Sequence, residues 1–185
     1  MKICDMIIER KYDFNIWAYS RIDTCKSIYL EKLRKAGVKW LGLGIENPST
    51  IIRREVQKDS FKDVKIIDIV KHLVKFKIPV MGHIGITPQS VRGKFKYKGK
   101  TNIEKNNLLQ DSKSLEEAGV FAIVLECIER KLSKKITGSI NIPTIGIGSS
   151  NFCDGQIMVT DDLLGLTDTK IKFVKKYANL KSSVR

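Results

Sequence analysis

At 185 residues, 42% of them hydrophobic and 29% charged, the chain is long enough for one ordinary domain with a real core and is not globally disordered. A complete eight-fold barrel typically needs about 250 residues, so any such barrel here is incomplete. No apolar run approaches the ~18 residues of a membrane span, and Met1-Lys2-Ile3-Cys4-Asp5 lacks the long apolar core of a secretory signal. The formal charge of +14 invites a nucleic-acid reading, but the excess is spread along the chain. Residues 1–76 hold 16 basic and 10 acidic side chains, and residues 77–185 hold 18 and 10. Steering of small anions follows from this, and nucleic-acid binding is disfavoured. Cys4, Cys25, Cys127 and Cys153 show no C-x-x-C spacing, so free thiols in a reducing cytoplasm are expected rather than a metal cluster.

Residues 1–13 are mixed and charged, a poor start for a domain. Phe14 to Tyr19 is aromatic and β-prone. Ser27 to Ala36 has helical spacing and is stopped by Gly37, and Val38 to Ile45 is the next strand. Ser60-Phe61-Lys62-Asp63 resembles a capping box, before a helix with Ile66, Ile67, Val70, Leu73 and Val74 inward. Ile78 to Ile86 is a third strand, and Glu104 to Ala118 a helix with Leu108, Leu115 and Ala118 on one face.

The stretch around which the rest is organised is Glu116-Glu117-Ala118-Gly119-Val120-Phe121-Ala122-Ile123-Val124-Leu125-Glu126-Cys127. A helix ends at a glycine, and an apolar run of strand length stops at Glu126. The C-terminal end of a barrel strand is where catalytic groups sit. A strand-end Glu paired with a neighbouring Lys or Arg is the alternative. A helix near Glu129 to Thr137 follows, then strands at Ile142–Gly148 and Gln156–Val159 and an amphipathic tail helix over about Ile171 to Leu180.

The repeated order of helix, short break and apolar strand requires parallel strands joined by right-handed crossovers. We expect an α/β fold, a partial (β/α) barrel of the TIM type with about six parallel strands. An open doubly wound sheet is the alternative.

Three further stretches could carry chemistry. His83, near a strand end, could hydrogen-bond a carbonyl oxygen, or could itself be satisfied by backbone. Gly146-Ile147-Gly148-Ser149-Ser150 could bring backbone amides close to an anion, or could be a tight strand-end turn. Arg92, Lys94, Lys96, Lys98 and Lys100 alternate with Gly93, Phe95, Tyr97 and Gly99. That pattern suits a lid over a pocket, or phosphate contact with base stacking.

Val80-Met81-Gly82-His83-Ile84-Gly85-Ile86-Thr87-Pro88-Gln89-Ser90-Val91 resembles the signature of the ketopantoate hydroxymethyltransferase (3-methyl-2-oxobutanoate hydroxymethyltransferase) family. Leu115 to Gly119, Ile123 to Cys127, Ile142 to Gly148, Asp154 to Ile157 and Lys172 to Lys175 resemble it in the same order, over about residues 77–180. The resemblance implies a (β/α)8 fold and a role in pantothenate biosynthesis. The reaction it implies is hydroxymethyl transfer from 5,10-methylenetetrahydrofolate to 3-methyl-2-oxobutanoate, giving 2-dehydropantoate. It places the family's proton-accepting Glu on Glu126 and implies Mg²⁺ as the electrophile on the carbonyl oxygen. His83, Gly146 and Gly148 are the expected substrate-binding positions, and none of this chain's residues is assigned to the metal. The family's metal-binding carboxylates lie in the other half of its barrel. Arg92 to Lys96 is shorter than the usual loop, Ser149-Ser150 stands where Ala-Gly is usual, and Asp161 stands where His is common.

Residues 14–76 resemble a barrel fragment of radical S-adenosylmethionine enzymes. Trp17 to Asp23, Leu33 to Glu46 and Arg53 to Lys58 carry that likeness, without the family's three-Cys motif. The expected organisation is therefore a radical-enzyme-like fragment at 1–76 and a ketopantoate hydroxymethyltransferase-like half barrel at 77–185. A remnant binding S-adenosylmethionine, or a non-catalytic RNA-binding module, are the competing functions. Unclosed strand edges need a partner, so a homo-oligomer is expected, with a keto acid and a folate as small-molecule partners.

Overall fold

Helix-to-strand turns in this protein use backbone with positive φ. Gly37 (φ 91°), Lys77 (φ 56°) and Gly119 (φ 90°) stand between a helix and the strand that follows. At Gly37 a side chain is impossible as well as strained, because a Cβ there would lie 2.3 Å from the carbonyl oxygen of Phe14. A computed structural model describes residues 2–21, 27–44, 66–86, 96–168 and 171–184.

In chain order the elements are α1 (Lys2–Glu9), β1 (Ile16–Arg21), α2 (Ser27–Lys35), β2 (Val38–Gly44) and α3 (Ile66–Lys75). Then come β3 (Met81–Gly85), α4 (Asn102–Glu117), β4 (Ala122–Glu126), α5 (Arg130–Thr137), β5 (Thr144–Ile147), β6 (Gly155–Gln156) and α6 (Thr160–Leu163). A 3₁₀ turn at Leu180–Ser182 closes the described chain. All strand pairs are parallel. Among the described residues they form two sheets, β1-β2 and β3-β4-β5-β6. This is the α/β order of a partial barrel, with six strands as expected.

The core lies between the sheets and their helices. Ile84, Ile123 and Leu125 point from β3 and β4 into a cluster with Val70 and Leu73 of α3 and Leu132 and Ile136 of α5. Leu30 from α2 joins the same cluster, with Leu33 and Leu41 against it. The two sheets therefore share apolar packing without sharing a ladder among the described residues. Trp40 of β2 also meets Phe121 edge-on, with ring centroids 6.0 Å apart. Polar staples fix the strand ends. Asp154 Oδ2 accepts from the Thr144 amide (2.8 Å) and hydroxyl (3.0 Å), tying the start of β5 to the approach to β6. Those donors hold the Asp154 carboxyl below its ordinary value. Gln156 Nε2 donates to the carbonyl of Ser150 at 2.7 Å, so the Asp154-Gly155-Gln156 stretch is occupied in bracing the β5–β6 connection.

Several expectations need correction. Residues 2–9 form a helix, with Asp5 joined to Lys32 of α2 at 2.7 Å. The strand expected at Gln156–Val159 is only Gly155–Gln156, because Val159 already caps α6. The tail is not a helix over Ile171–Leu180. Its backbone is drawn instead into hydrogen bonds with α6 and its C-cap, from the Tyr177 amide to Leu163 (2.9 Å) and from the Leu180 amide to Leu164 (3.0 Å). The capping box at Ser60–Asp63 and the loop residues 87–95 lie outside the described residues, as does Cys25. Cys4, Cys127 and Cys153 are free thiols. No helix among the described residues is long and apolar enough to cross a membrane.

Candidate functional site

Alternation along β3 and β4 decides which side chains meet. On β3, Gly82 and Ile84 are buried, while Met81 and His83 face the other side and are exposed. On β4, Ile123 and Leu125 are fully buried toward the helices. Side chains two residues apart share a face, so Val124 and Glu126 lie on the same side of the sheet as His83. The ladder pairs His83 with Val124 and Gly85 with Glu126. The position in register with Glu126 thus carries no side chain, and the imidazole of His83 reaches diagonally toward the carboxylate, a span open to long side chains.

His83 Nε2 and Glu126 Oε2 are 2.9 Å apart. An ionised carboxylate only accepts, so Nε2 carries the hydrogen and donates. The Glu126 side chain is 10% exposed and that of His83 is 39% exposed. Glu126 is therefore a nearly buried acid at a strand end whose partner still reaches solvent. The strand-end carboxylate expected from the sequence is present, and its partner is His83 rather than a Lys or Arg. Among the described residues His83 is engaged with a side chain, not with a backbone carbonyl.

The backbone around Glu126 is fixed from several directions. Its carbonyl accepts from the Ile86 amide at 3.0 Å. Gly85 (φ 110°) makes that approach possible, because a Cβ there would sit 2.1 Å from the same oxygen. The next residue, Cys127, has φ 51°, a left-handed backbone that costs a side-chain-bearing residue about 1–2 kcal/mol. Its amide donates to Ile147 (2.9 Å) and its carbonyl accepts from Lys98 (2.9 Å). Ser149 Oγ donates to the Leu125 carbonyl at 2.6 Å and accepts from the Ile128 amide at 3.0 Å. At about 0.5–1.5 kcal/mol net for each hydrogen bond, these contacts together outweigh the strain at Cys127. Burial, and then the neighbouring Glu126 charge, push the Cys127 thiol up to about 11, so at neutral pH it is a protonated packing group.

Gly146 is buried, and a Cβ on it would lie 3.0 Å from both Cys153 Sγ and Gln156 Nε2. The space beside Gly148 (φ 59°) is filled by the ring of Phe173, 2.4 Å from the position of a Cβ. The structure thus brings His83 and Glu126 together and packs the two glycines against side chains of this chain. Within the expected lid, Lys96 to Lys100 is described. It is fastened to the loop after β4 through a bridge between Lys98 and Ile128, and Tyr97 is 42% exposed. Ser149, the residue bonded on both sides of Glu126, was legible only as a departure from the pattern the chain resembles.

Among the described residues no group of three or more His, Cys, Asp or Glu side chains could hold a metal ion. Glu126 with an imidazole is a poor donor set for Mg²⁺, which takes oxygen ligands in octahedral array. The described residues therefore do not fit that ion unaided.

A family model described as Ketopantoate hydroxymethyltransferase matches residues 50–185, beginning ahead of the boundary expected between residues 76 and 77. The chain is similar to the 3-methyl-2-oxobutanoate hydroxymethyltransferase of Pelagibacter ubique, 56% identical over 120 residues, covering 65% of this chain and 46% of that relative. It is similar to the protein of that name from Clostridium kluyveri, 54% identical over 125 residues, or 66% of this chain and 45% of the relative. The Phenylobacterium zucineum protein of the same name is 48% identical over 121 residues, or 64% and 44%. The chain spans about half the length of the curated relatives it matches. With a buried strand-end carboxylate in its parallel sheet and most of its length matched, this chain belongs to the ketopantoate hydroxymethyltransferase family.

Proposed function

We propose that the chain acts in hydroxymethyl transfer from 5,10-methylenetetrahydrofolate to 3-methyl-2-oxobutanoate, giving 2-dehydropantoate in pantothenate biosynthesis. Glu126 is the base that removes the proton from C3 of the keto acid. The observation that carries this reading is a Glu side chain only 10% exposed at the C-terminal end of β4, bonded to His83 at 2.9 Å. The hydrogen bond from His83 engages Oε2, and among the described residues Oε1 is left to meet the substrate proton. As Glu126 accepts the proton its charge is lost, and an equal charge develops on the enolate. His83 keeps the carboxyl group oriented through the transfer. The chain's charge of +14 favours arrival of an anionic keto acid. Gly146 and Gly148 enter as close-packed backbone at the end of β5, and a homo-oligomer would cover the free strand edges.

The test is exchange of the C3 proton of 3-methyl-2-oxobutanoate for deuterium, followed by NMR with and without added Mg²⁺. Catalysed exchange supports the reading, and a rate equal to the protein-free rate under both conditions overturns it.

We also propose that residues 1–76 and 77–185 are barrel fragments of different origin, the first akin to radical S-adenosylmethionine enzymes. Trp17 to Asp23 and Leu33 to Glu46, which carry that likeness, precede the residues 50–185 matched by the family model, whereas residues 50–76 lie inside that match. Calorimetric binding of S-adenosylmethionine is its test, and no heat at high protein concentration counts against it.

A further inference from the structure

Ser149 has no part in the proton transfer just described, yet its hydroxyl joins the two flanks of the Glu126–Cys127 turn. Oγ donates to the carbonyl of Leu125, the residue before Glu126, at 2.6 Å. It accepts from the amide of Ile128, the residue after Cys127, at 3.0 Å. Its contact with the Ile147 carbonyl, at 3.5 Å, is too long to compete for the single hydroxyl hydrogen. Leu125 and Ile128 are both fully buried, so the clamp is anchored at its two ends in the core. Between those anchors stand only the acid and Cys127, whose φ of 51° would otherwise favour relaxation of the turn. Rotation there would swing the Cα–Cβ bond of Glu126 and with it the carboxylate.

We propose that Ser149 is a positioning residue, which sets the direction in which Glu126 presents its carboxylate by clamping the Leu125 carbonyl and the Ile128 amide with one hydroxyl. The inference rests on the reading of Glu126 as base, and it is separable from that reading because the clamp also fixes the geometry at His83.

The experiment uses the full chain with Ser149→Ala and, as conservative rescue, Ser149→Thr. Two readouts are taken: kcat and KM for C3 proton exchange, and the ¹⁵N signals of the His83 ring. Ser149→Ala is expected to lower kcat about tenfold with KM changed by less than about twofold, since misdirection of a catalytic group weakens the chemical step more than binding. Ser149→Thr should restore most of the rate, and the His83 Nε2 signal should move in the Ala variant and return in the Thr variant. Unchanged kcat with an unmoved His83 signal overturns the proposal, as does a loss that Thr fails to recover. If the wild-type chain shows no exchange, the assignment of Glu126 fails. The His83 signal then decides the clamp alone, a shift in Ser149→Ala supporting it and no shift overturning it. Should Ser149→Ala not fold, Ser149→Cys, a weaker hydrogen-bonding replacement, is read in the same two ways.

Discussion

His83 hydrogen-bonds Glu126 at 2.9 Å although the residue in register with Glu126 is Gly85. The contact exists because glycine leaves the facing position bare and the imidazole spans the diagonal. Removing the imidazole strands a nearly buried carboxylate, which costs about 1–3 kcal/mol when a buried polar group loses its partner. His83→Ala is therefore expected to lower the urea midpoint by a corresponding amount and to slow C3 proton exchange about 10- to 100-fold. Urea melts and exchange rates on the same preparation check both.

Gly85→Ala should be more damaging than its one added methyl suggests. The left-handed backbone costs about 1–2 kcal/mol, and the new Cβ would meet the Glu126 carbonyl oxygen at 2.1 Å. Backbone cannot swing aside as a flexible side chain can, so the strand end must separate. A loss of roughly 3 kcal/mol or more is expected, together with deuterium exchange at the Ile86 amide that is faster than in the wild type. A variant as stable as the wild type would contradict this packing.

Cys127 gives the pH prediction. Its thiol is raised to about 11 by burial and by the Glu126 charge, against an ordinary value near 9. Between those values the unfolded chain has lost the proton that the folded chain keeps. Stability is therefore contributed below pH 9 and lost as pH climbs to 11, by about 2–3 kcal/mol in all. Denaturant melts of the wild type and of Cys127→Ala across that range should show the steeper decline in the wild type. Parallel slopes would contradict the assignment.

The alternation of helix and parallel strand was legible because each strand is announced by a break such as Gly37, Lys77 or Gly119. Glu126 stood out because an apolar run stops there. Its link to His83 was not legible, since a diagonal contact depends on register, which two separate stretches of sequence leave open. Helix α1 is hard to read from sequence because its charges hide an apolar spacing that stays solvent-facing, with Ile3 72% exposed. Thr101 and Glu104 form a reciprocal cap at the start of α4, the Thr101 hydroxyl accepting from the Glu104 amide and the Glu104 carboxylate from the Gly99 and Lys100 amides. That T-x-x-E signal is readable in the sequence. The tail failed for the opposite reason. Its periodicity is real, but the backbone bonds from Tyr177 and Leu180 to Leu163 and Leu164 override local helix preference.

The role of Glu126 is tested most directly by comparing deuterium exchange at C3 of 3-methyl-2-oxobutanoate in the wild type and in Glu126→Gln. The amide matches the carboxylate in shape but cannot take the proton. Catalysed exchange in the wild type that falls to the protein-free rate in Glu126→Gln is the predicted result. Exchange that proceeds equally fast in the two proteins would contradict it.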